Sequence, residues 1–344
     1  MKEYRIPPAL PEAVIRWFRE NRRELPWRRD RDPYHVWLSE IMLQQTRIQT
    51  VIPYYLRFIE AFPTVEALAG AEEDRVLKLW EGLGYYSRAR NLHRAAKEIT
   101  EKHRGHFPAS YAELKKLPGI GEYTAAAVAS ICYDEASPAV DGNVIRVLAR
   151  VCAMKDEDIH SPQSRKALTA MLKSVYPETH SDDFTQGLME LGEVLCVPNG
   201  PPLCGSCPAA GLCEAYQKGE TAAIPVGKKK PERKKQDITV FILQSGDALA
   251  LNRRGPGLLH GMWEFPNTAG HLSETAALLQ VNQWGLTPKS AGRSSRKKHI
   301  FTHIEWDILV YHIETEQTNP AFHWVPQPVL QEQYSLPTAF KKCL

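Results

Sequence analysis

Four of the seven cysteines, Cys196, Cys204, Cys207 and Cys213, fall within eighteen residues in the pattern C-x7-C-x2-C-x5-C. However this stretch folds, the thiols converge, because Pro and Gly in the intervening loops let the chain turn sharply. Thiolates clustered this tightly are metal ligands, and zinc or a [4Fe–4S] cluster would each satisfy four of them. The spacing leaves that choice open. A secreted disulfide framework fits poorly. The start, Met1-Lys-Glu-Tyr-Arg-Ile-Pro, has no apolar leader stretch, and no run approaches the roughly 18 apolar residues of a membrane span. A soluble, cytoplasmic protein with no membrane partner is expected. Cys132, Cys152 and Cys343 sit in apolar or terminal contexts and read as bystanders.

The sequence before the cysteines is helical in texture. Ser110 with Glu113 makes a capping box for a short helix to Leu117, which Pro118 and Gly119 stop. The alanine-rich run after Gly121 opens the next helix. A glycine hairpin between two helices leaves backbone N–H groups uncovered at a helix N-terminus, where the dipole favours an anion. With no side chain at Gly119 or Gly121, a phosphate can sit directly on the backbone. Twenty residues past Gly121, Asp141 of Val140-Asp-Gly-Asn143-Val144 precedes the apolar-periodic helix Ile145, Leu148, Val151, the position of a helix cap.

Residues 10–23 read as an amphipathic helix, broken by Leu25-Pro-Trp27-Arg28. A second helical pattern runs from Tyr34 to Arg47 and places Glu40 among Trp37, Leu43 and Gln44. A carboxyl among apolar neighbours has a raised pKa, because desolvation disfavours its charged form, and that suits a general acid near neutral pH. Val51–Phe62 is core-like, with Pro53 as boundary or kink. Gly82-Leu-Gly-Tyr85-Tyr86 then breaks the helical texture, and Ser87 can cap Arg88–His103. Aromatic and basic residues around that loop (Arg88, Arg90, Arg94, Lys97) suit DNA contact by wedging and phosphate pairing. Core tyrosines beside a solvated basic face suit the segment equally well. Ser161–Val175 is another helix, and the chain is all-α through Ala215. Net charge is only +3, so a nucleic-acid footprint must be a local patch.

From 217 to 236 apolar content collapses into a basic linker. Strands follow: Ile238–Leu243 with Ala248–Leu251 as a hairpin, a helix Ser273–Trp284, and β-structure over Ile300–Ile313. The order β-β-α-β resembles the Nudix fold. The acidic helix that holds metal in Nudix hydrolases is replaced by Glu274-Thr-Ala-Ala-Leu-Leu-Gln, which points to recognition without hydrolysis.

Taken together, Leu25-Pro-Trp-Arg28, Ser39-Glu40…Leu43-Gln44-Gln45-Thr46, Glu81-Gly-Leu-Gly-Tyr-Tyr-Ser-Arg88, the hairpin, Val140–Val144 and the cysteines resemble the bacterial adenine DNA glycosylases of the helix-hairpin-helix superfamily. The resemblance covers nearly the whole length and implies a multidomain α and α+β protein. Residues 1–216 form the glycosylase region: a six-helix part over about 30–132, and an N-terminal helix plus 133–216 forming the cluster part. Residues 217–236 link it to a Nudix-like 8-oxoguanine recognition domain at 237–344.

The resemblance also implies a monofunctional enzyme, expected as a monomer, excising adenine opposite 8-oxoguanine or guanine in duplex DNA. Glu40 would be the general acid and Asp141, beside Asn143, the stabiliser of the sugar cation. Tyr123 stands where glycosylase/lyases carry a nucleophilic lysine. Trp27, Arg28, Leu43 and Gln186 would border the adenine pocket, with Gln45, Thr46 and Tyr85 at the emptied stack and Gly119 and Gly121 on phosphate. Phe301-Thr302-His303 corresponds to the Phe-Ser-His loop that touches 8-oxoguanine. The cysteines would hold a [4Fe–4S] cluster, although the first gap has seven residues where relatives have six, and the hairpin carbonyls could hold a cation. Two readings compete with this one: an endonuclease III-like glycosylase/lyase, and a non-catalytic damage binder.

Overall fold

The computed structural model describes residues 4–155, 157–159, 161–225 and 232–344; residues 226–231 of the expected linker lie outside the described residues. It divides into two compact units, Met1–Gly70 with Asn91–Lys228, and Ala71–Arg90 with Lys229–Leu344.

In chain order the helices of the N-terminal half are α1 (Leu10–Asn21), α2 (Pro33–Leu43), α3 (Ile48–Ala61), α4 (Val65–Ala69), α5 (Glu73–Trp80), α6 (Ser87–His103), α7 (Tyr111–Leu114) and α8 (Glu122–Tyr133). They are followed by α9 (Gly142–Val151), α10 (Pro162–Lys173), α11 (Ser181–Val194) and α12 (Glu214–Gln217). Local chemistry sets their ends. Asp32 caps α2 by accepting the Tyr34 N–H at 2.8 Å, with Pro33 pre-set for the first turn. Asp141 caps α9 by accepting the Val144 N–H at 2.7 Å.

α8 is buried from Thr124 through Ile131. Its alanines are small enough to let both α2 and α11 pack against it, and a helix apolar all round belongs in a core. Beside it, Leu10 and Val14 of α1, Val144 and Leu148 of α9, Leu168 and Leu172 of α10, and Phe184, Leu188 and Leu191 of α11 form one apolar cluster. Gly192 of α11 lies so close to α9 that an added Cβ would meet Asn143 Cβ at 2.6 Å. That approach brings α11 against the start of α9.

Three expected helix limits need correction. α2 stops at Leu43, and Gln44–Thr46 form a turn in which Gln45 adopts φ 57°; beyond Leu43 the polar run offers no apolar face to bury. α3 passes through Pro53, because the carbonyl four residues earlier belongs to the exposed Gln49 and water can satisfy it. Ser87 is the first residue of α6, not its cap.

The second unit is built on a sheet of β1 (Lys234–Ser245), β2 (Ala248–Arg253), β3 (Trp263–Glu264), β4 (Asn267–Ala269), β5 (Pro288–Ile300), β6 (Ile304–Thr315) and β7 (His323–Pro326). Its order is β3-β2-β1-β6-β5, with β4 on β1 and β7 on β2. β1 and β2 form the expected hairpin, and β1 runs parallel to β6 from Lys234↔Ile304 to Gln244↔Glu314. Period-two alternation splits β1 between two cores. Phe241 and Leu243 face Ala277 and Val281 of α13 (Glu274–Gln283). Val240 and Ile242 face Leu330 of α14 (Gln327–Gln333) and Phe340 of α15 (Thr338–Lys341). Because β1 begins at Lys234, the last residues of the expected linker are strand. The β-structure expected over Ile300–Ile313 is in fact the end of β5, a turn at Phe301–His303 and most of β6.

The stretch 71–90 belongs to this second unit. Arg253 binds Asp74 with both carboxylate oxygens at 2.6 Å, and Lys78 donates to the Tyr334 carbonyl at 3.0 Å. Glu81 accepts from the Leu336 N–H at 2.7 Å and from Lys341 at 2.6 Å.

Candidate active site

Glu40 is 7 % exposed on a helix whose residues from Val36 to Met42 are all buried. α8 brings Tyr123 against it, and the phenol donates to Glu40 Oε2 at 2.6 Å, with Met189 Sδ 3.7 Å from the same hydroxyl. Burial lifts the Glu40 carboxyl to about 7; the Tyr123 hydrogen bond and the Arg28 charge pull it down, and Asp141 pushes it up. A carboxyl titrating there carries its proton in a useful fraction of molecules at neutral pH. Tyr123 itself is raised well above 10, first by burial and then by the neighbouring carboxylates, so it acts as a donor.

Asp141 does two jobs with one carboxylate. One oxygen caps α9, and the other accepts from Asn143 Nδ2 at 3.1 Å. Burial raises its pKa, opposed by the Val144 and Asn143 backbone N–H groups, by Arg146 and by the Asn143 amide. Burial thus moves both carboxyls upward. What distinguishes Asp141 is the set of donors, which favour its charged form. Behind it, Arg146 donates to Asn143 Oδ1 at 2.8 Å, to the Gly192 carbonyl at 2.7 Å and to the Cys196 carbonyl at 2.7 Å.

Glu40, Tyr123, Asp141 and Asn143 line a single cavity of about 1100 Å³. Trp27, Arg28, Leu43, Gln45, Thr46, Gly119, Gly121 and Gln186 line it too, so the fold gathers twelve of the residues singled out in the sequence. Gly121 is extended, caps α8 without a side chain and has open space where a Cβ would stand. Gly119 adopts φ 73° with Asn91 Cβ 2.4 Å from an added Cβ, so only glycine fits the turn. Exposed Arg22, Arg47 and Arg165 contribute positive charge to the same cavity.

The sequence reading missed the acid that organises the Arg28 wall. Glu190, 2 % exposed, accepts from Arg23 Nε at 2.5 Å, Arg23 Nη2 at 3.0 Å and Arg28 Nη2 at 2.8 Å. Burial alone would raise this carboxyl, but the two arginines hold it below its ordinary value. The available signal was its place one helical turn after Gln186 on α11.

The four cysteines face a common space with Arg150, Leu191, Leu195 and Ala209 around it. Arg150 Nη1 lies 3.2 Å from Cys196 Sγ, a cation placed to offset thiolate charge. Among the described residues, no three of these sulfurs lie within 4.8 Å of one another. Four thiols around one space are a donor set that a metal group can take. The seven-residue first gap is closed at its base by the Leu203 N–H on the Leu195 carbonyl at 2.9 Å, and Pro198–Pro201 within it is exposed.

Residues 38–174 match the HhH-GPD superfamily base excision DNA repair protein, and residues 239–344 match the NUDIX domain. The adenine DNA glycosylase of Rattus norvegicus is 34% identical over 377 residues, spanning 92% of this chain and 73% of its own length. That of Buchnera aphidicola subsp. Baizongia pistaciae is 39% identical over 245 residues, spanning 71% and 69%. The chain belongs to the adenine DNA glycosylase family. Its fold is shared by a thermostable thymine-DNA glycosylase (TM-score 0.55, 27% identity, 61% of this chain and 96% of that one). A non-covalent endonuclease III–DNA complex shares it too (TM-score 0.52, 23% identity, 61% and 94%). The expected fold class, a helix-hairpin-helix glycosylase followed by a Nudix-like domain, is what the chain has.

The remaining residues expected from the adenine glycosylase resemblance lie in the second unit. Of the two loop tyrosines, Tyr86 is core at 7 % exposure and Tyr85 is 45 % exposed, which divides the open alternatives between them. The Tyr85 hydroxyl meets the Thr302 hydroxyl at 2.7 Å. Phe301, half-buried, packs edge-on against Trp306, while Thr302 and His303 are exposed in the β5–β6 turn. Arg88 is not a phosphate ligand: it is buried, donates to the Leu83 and Gly84 carbonyls, and stands over the Trp80 and Tyr85 rings.

Proposed function

We propose that this chain is a monofunctional adenine DNA glycosylase that hydrolyses the N-glycosidic bond of adenine mispaired with 8-oxoguanine or guanine. The observation that carries the reading is the buried Glu40–Tyr123 pair beside Asp141 in one cavity. The adenine must leave the stack to reach it. Protonated Glu40 gives its proton to the base at N7, and the bond to the sugar lengthens as the base leaves. Positive charge develops on the sugar as in other glycoside cleavages. Ionised Asp141, held by Val144 and Asn143, stabilises that charge until water adds to the sugar carbon and gives up its proton to the Glu40 carboxylate. Tyr123 has no amine with which to form a Schiff base, so the strand stays intact at the abasic site.

The basic rim (Arg22, Arg47, Arg165) and the open N-terminus of α8 at Gly119–Gly121 suit phosphate. Hairpin carbonyls would take any cation there. Trp27, Arg28, Leu43 and Gln186 border the base, Gln45, Thr46 and Tyr85 support the opened duplex, and Phe301, Thr302 and His303 read 8-oxoguanine. Cys196, Cys204, Cys207 and Cys213 would hold a [4Fe–4S] cluster, which when bound ties the loop after α11 to α9. Iron and sulfide analysis tests that assignment. Among the described residues no helix is long and apolar enough to cross a membrane, and we propose a cytoplasmic monomer acting on duplex DNA.

The functional test is strand nicking on a labelled duplex with one A:8-oxoguanine pair, with and without alkali, for the native protein and Glu40→Gln. Cutting only after alkali, lost in the variant, supports the proposal. Cutting without alkali revives the lyase reading. Tight binding with no cut leaves a damage-binding module.

A further inference from the structure

Glu190 is among the most deeply buried carboxylates of the first unit, yet the mechanism above gives it no part. Both of its oxygens are engaged by arginine: Oε1 by Arg23 Nε at 2.5 Å, and Oε2 by Arg23 Nη2 at 3.0 Å and Arg28 Nη2 at 2.8 Å. The Arg23 backbone N–H adds a fourth contact to Oε1 at 3.4 Å. Glu190 lines the cavity too, but a carboxylate with both oxygens engaged in this way acts on the site through its partners.

Arg23 and Arg28 both line the cavity, and Arg28 is the one whose charge acts on Glu40. It rides on a single 3-10 turn, Pro26–Arg28, between two breaks in the chain, which is weak support for a long flexible side chain. Three attachments make up for this. Nη2 is held by Glu190, Nη1 donates to the Arg23 carbonyl at 3.2 Å, and the guanidinium stands 5.4 Å from the Phe18 ring centroid. Glu190 comes from the rigid, buried helix α11, 162 residues away in sequence. It is therefore the strut that transfers the stiffness of the core to a pocket residue on a loose segment.

Resting on the adenine glycosylase reading, we propose that Glu190 is a positioning residue that clamps Arg23 and Arg28 together and fixes the Arg28 guanidinium at the wall of the adenine pocket. The groups that face Glu40 there are Tyr123 from α8, Asp141 from the start of α9, and Arg28. Glu193, on the same helix as Glu190, acts on Arg23. When Arg28 is released, Glu40 loses the one cation among these groups.

The test is a double-mutant cycle in single-turnover adenine excision, using the native protein, Glu190→Gln, Arg28→Leu and the double variant, each followed against pH. Glu190→Gln is expected to slow excision at least tenfold and to move the alkaline fall-off of the rate to higher pH. In the Arg28→Leu background the same change should cost less than twofold, because neighbours that act through one another are non-additive. An equal cost in both backgrounds, or an unmoved pH profile, overturns the inference. If Glu190→Gln does not fold, Glu190→Asp, which keeps the charge but shortens the strut, goes through the same cycle with the same criteria. A native protein that excises adenine while the cycle is additive refutes only the role of Glu190. An inactive native protein refutes the underlying reading.

Discussion

Replacing Glu40 by Gln should make the protein more stable while it destroys the activity, and the gain should depend on pH. Burial raises the Glu40 carboxyl from 4.5 to about 7, so the folded chain holds a proton that the unfolded chain releases two or three pH units lower. Below about pH 4.5 the group is neutral in both states and costs nothing. As pH rises from there through 7, the folded state must either keep a proton against solution or bury a charge, and stability falls. Above 7 the loss is complete, on the order of 3 kcal/mol. Glutamine is nearly isosteric, can still accept the Tyr123 hydroxyl and never ionises. Any penalty from its amide hydrogens is the same at every pH and cancels in the pH dependence. For a unit of this size the full effect is roughly 6–10 °C in Tm. The assay is thermal unfolding of native and Glu40→Gln protein from pH 5.5 to 8.5. The variant's advantage should widen through neutrality and level off above pH 8. A difference that is flat across this range, or that shrinks as pH rises, would refute the claim that Glu40 is kept near pKa 7 by burial.

Three further changes probe the same pocket and the β5–β6 turn proposed to read the lesion. Tyr123→Phe removes a charge-assisted donor worth about 1.5–3 kcal/mol. It should shift the alkaline fall-off of single-turnover excision upward by about 1–2 pH units. Asp141→Asn keeps a residue able to cap α9 but removes the charge opposite the sugar; circular dichroism should be unchanged while excision slows on the order of 10²–10³-fold. Thr302→Ser keeps the hydroxyl that meets Tyr85 and removes one methyl. The ratio of excision rates opposite 8-oxoguanine and guanine should rise on the order of tenfold.

The parts of the protein that were legible in the sequence are those where one residue type has one local job. Asp141 caps a helix, Gly119 needs a left-handed backbone, α8 is small and apolar throughout, and Glu40 has apolar neighbours within its own helix. β5 was not legible. Its residues Lys289–Ile300 are mostly polar and basic, because an edge strand paired only to β6 is largely solvent-exposed and gains from charge that discourages further pairing. Its bulges between Pro288 and Ser294 also break any alternation. Missing β5 hid the hairpin and made Phe301–His303 look like strand. Glu190 was hidden for a different reason: its partners come from 162 and 167 residues away, and a lone glutamate on a helix gives no sign of which arginines it will meet.

The segment 71–90 precedes most of the glycosylase region in sequence but is tied through Asp74, Lys78 and Glu81 to Arg253, Tyr334, Leu336 and Lys341. A cut near residue 225 would therefore divide the polypeptide without dividing its mechanical parts. The N-terminal product would keep the Tyr85 loop and lose the framework that braces it. Defects seen in such a truncated protein would combine two losses, the turn proposed to read the damaged base and the rigidity of a loop expected to enter the duplex. Point changes at Asp74 or Glu81, which leave Phe301–His303 in place, would separate them.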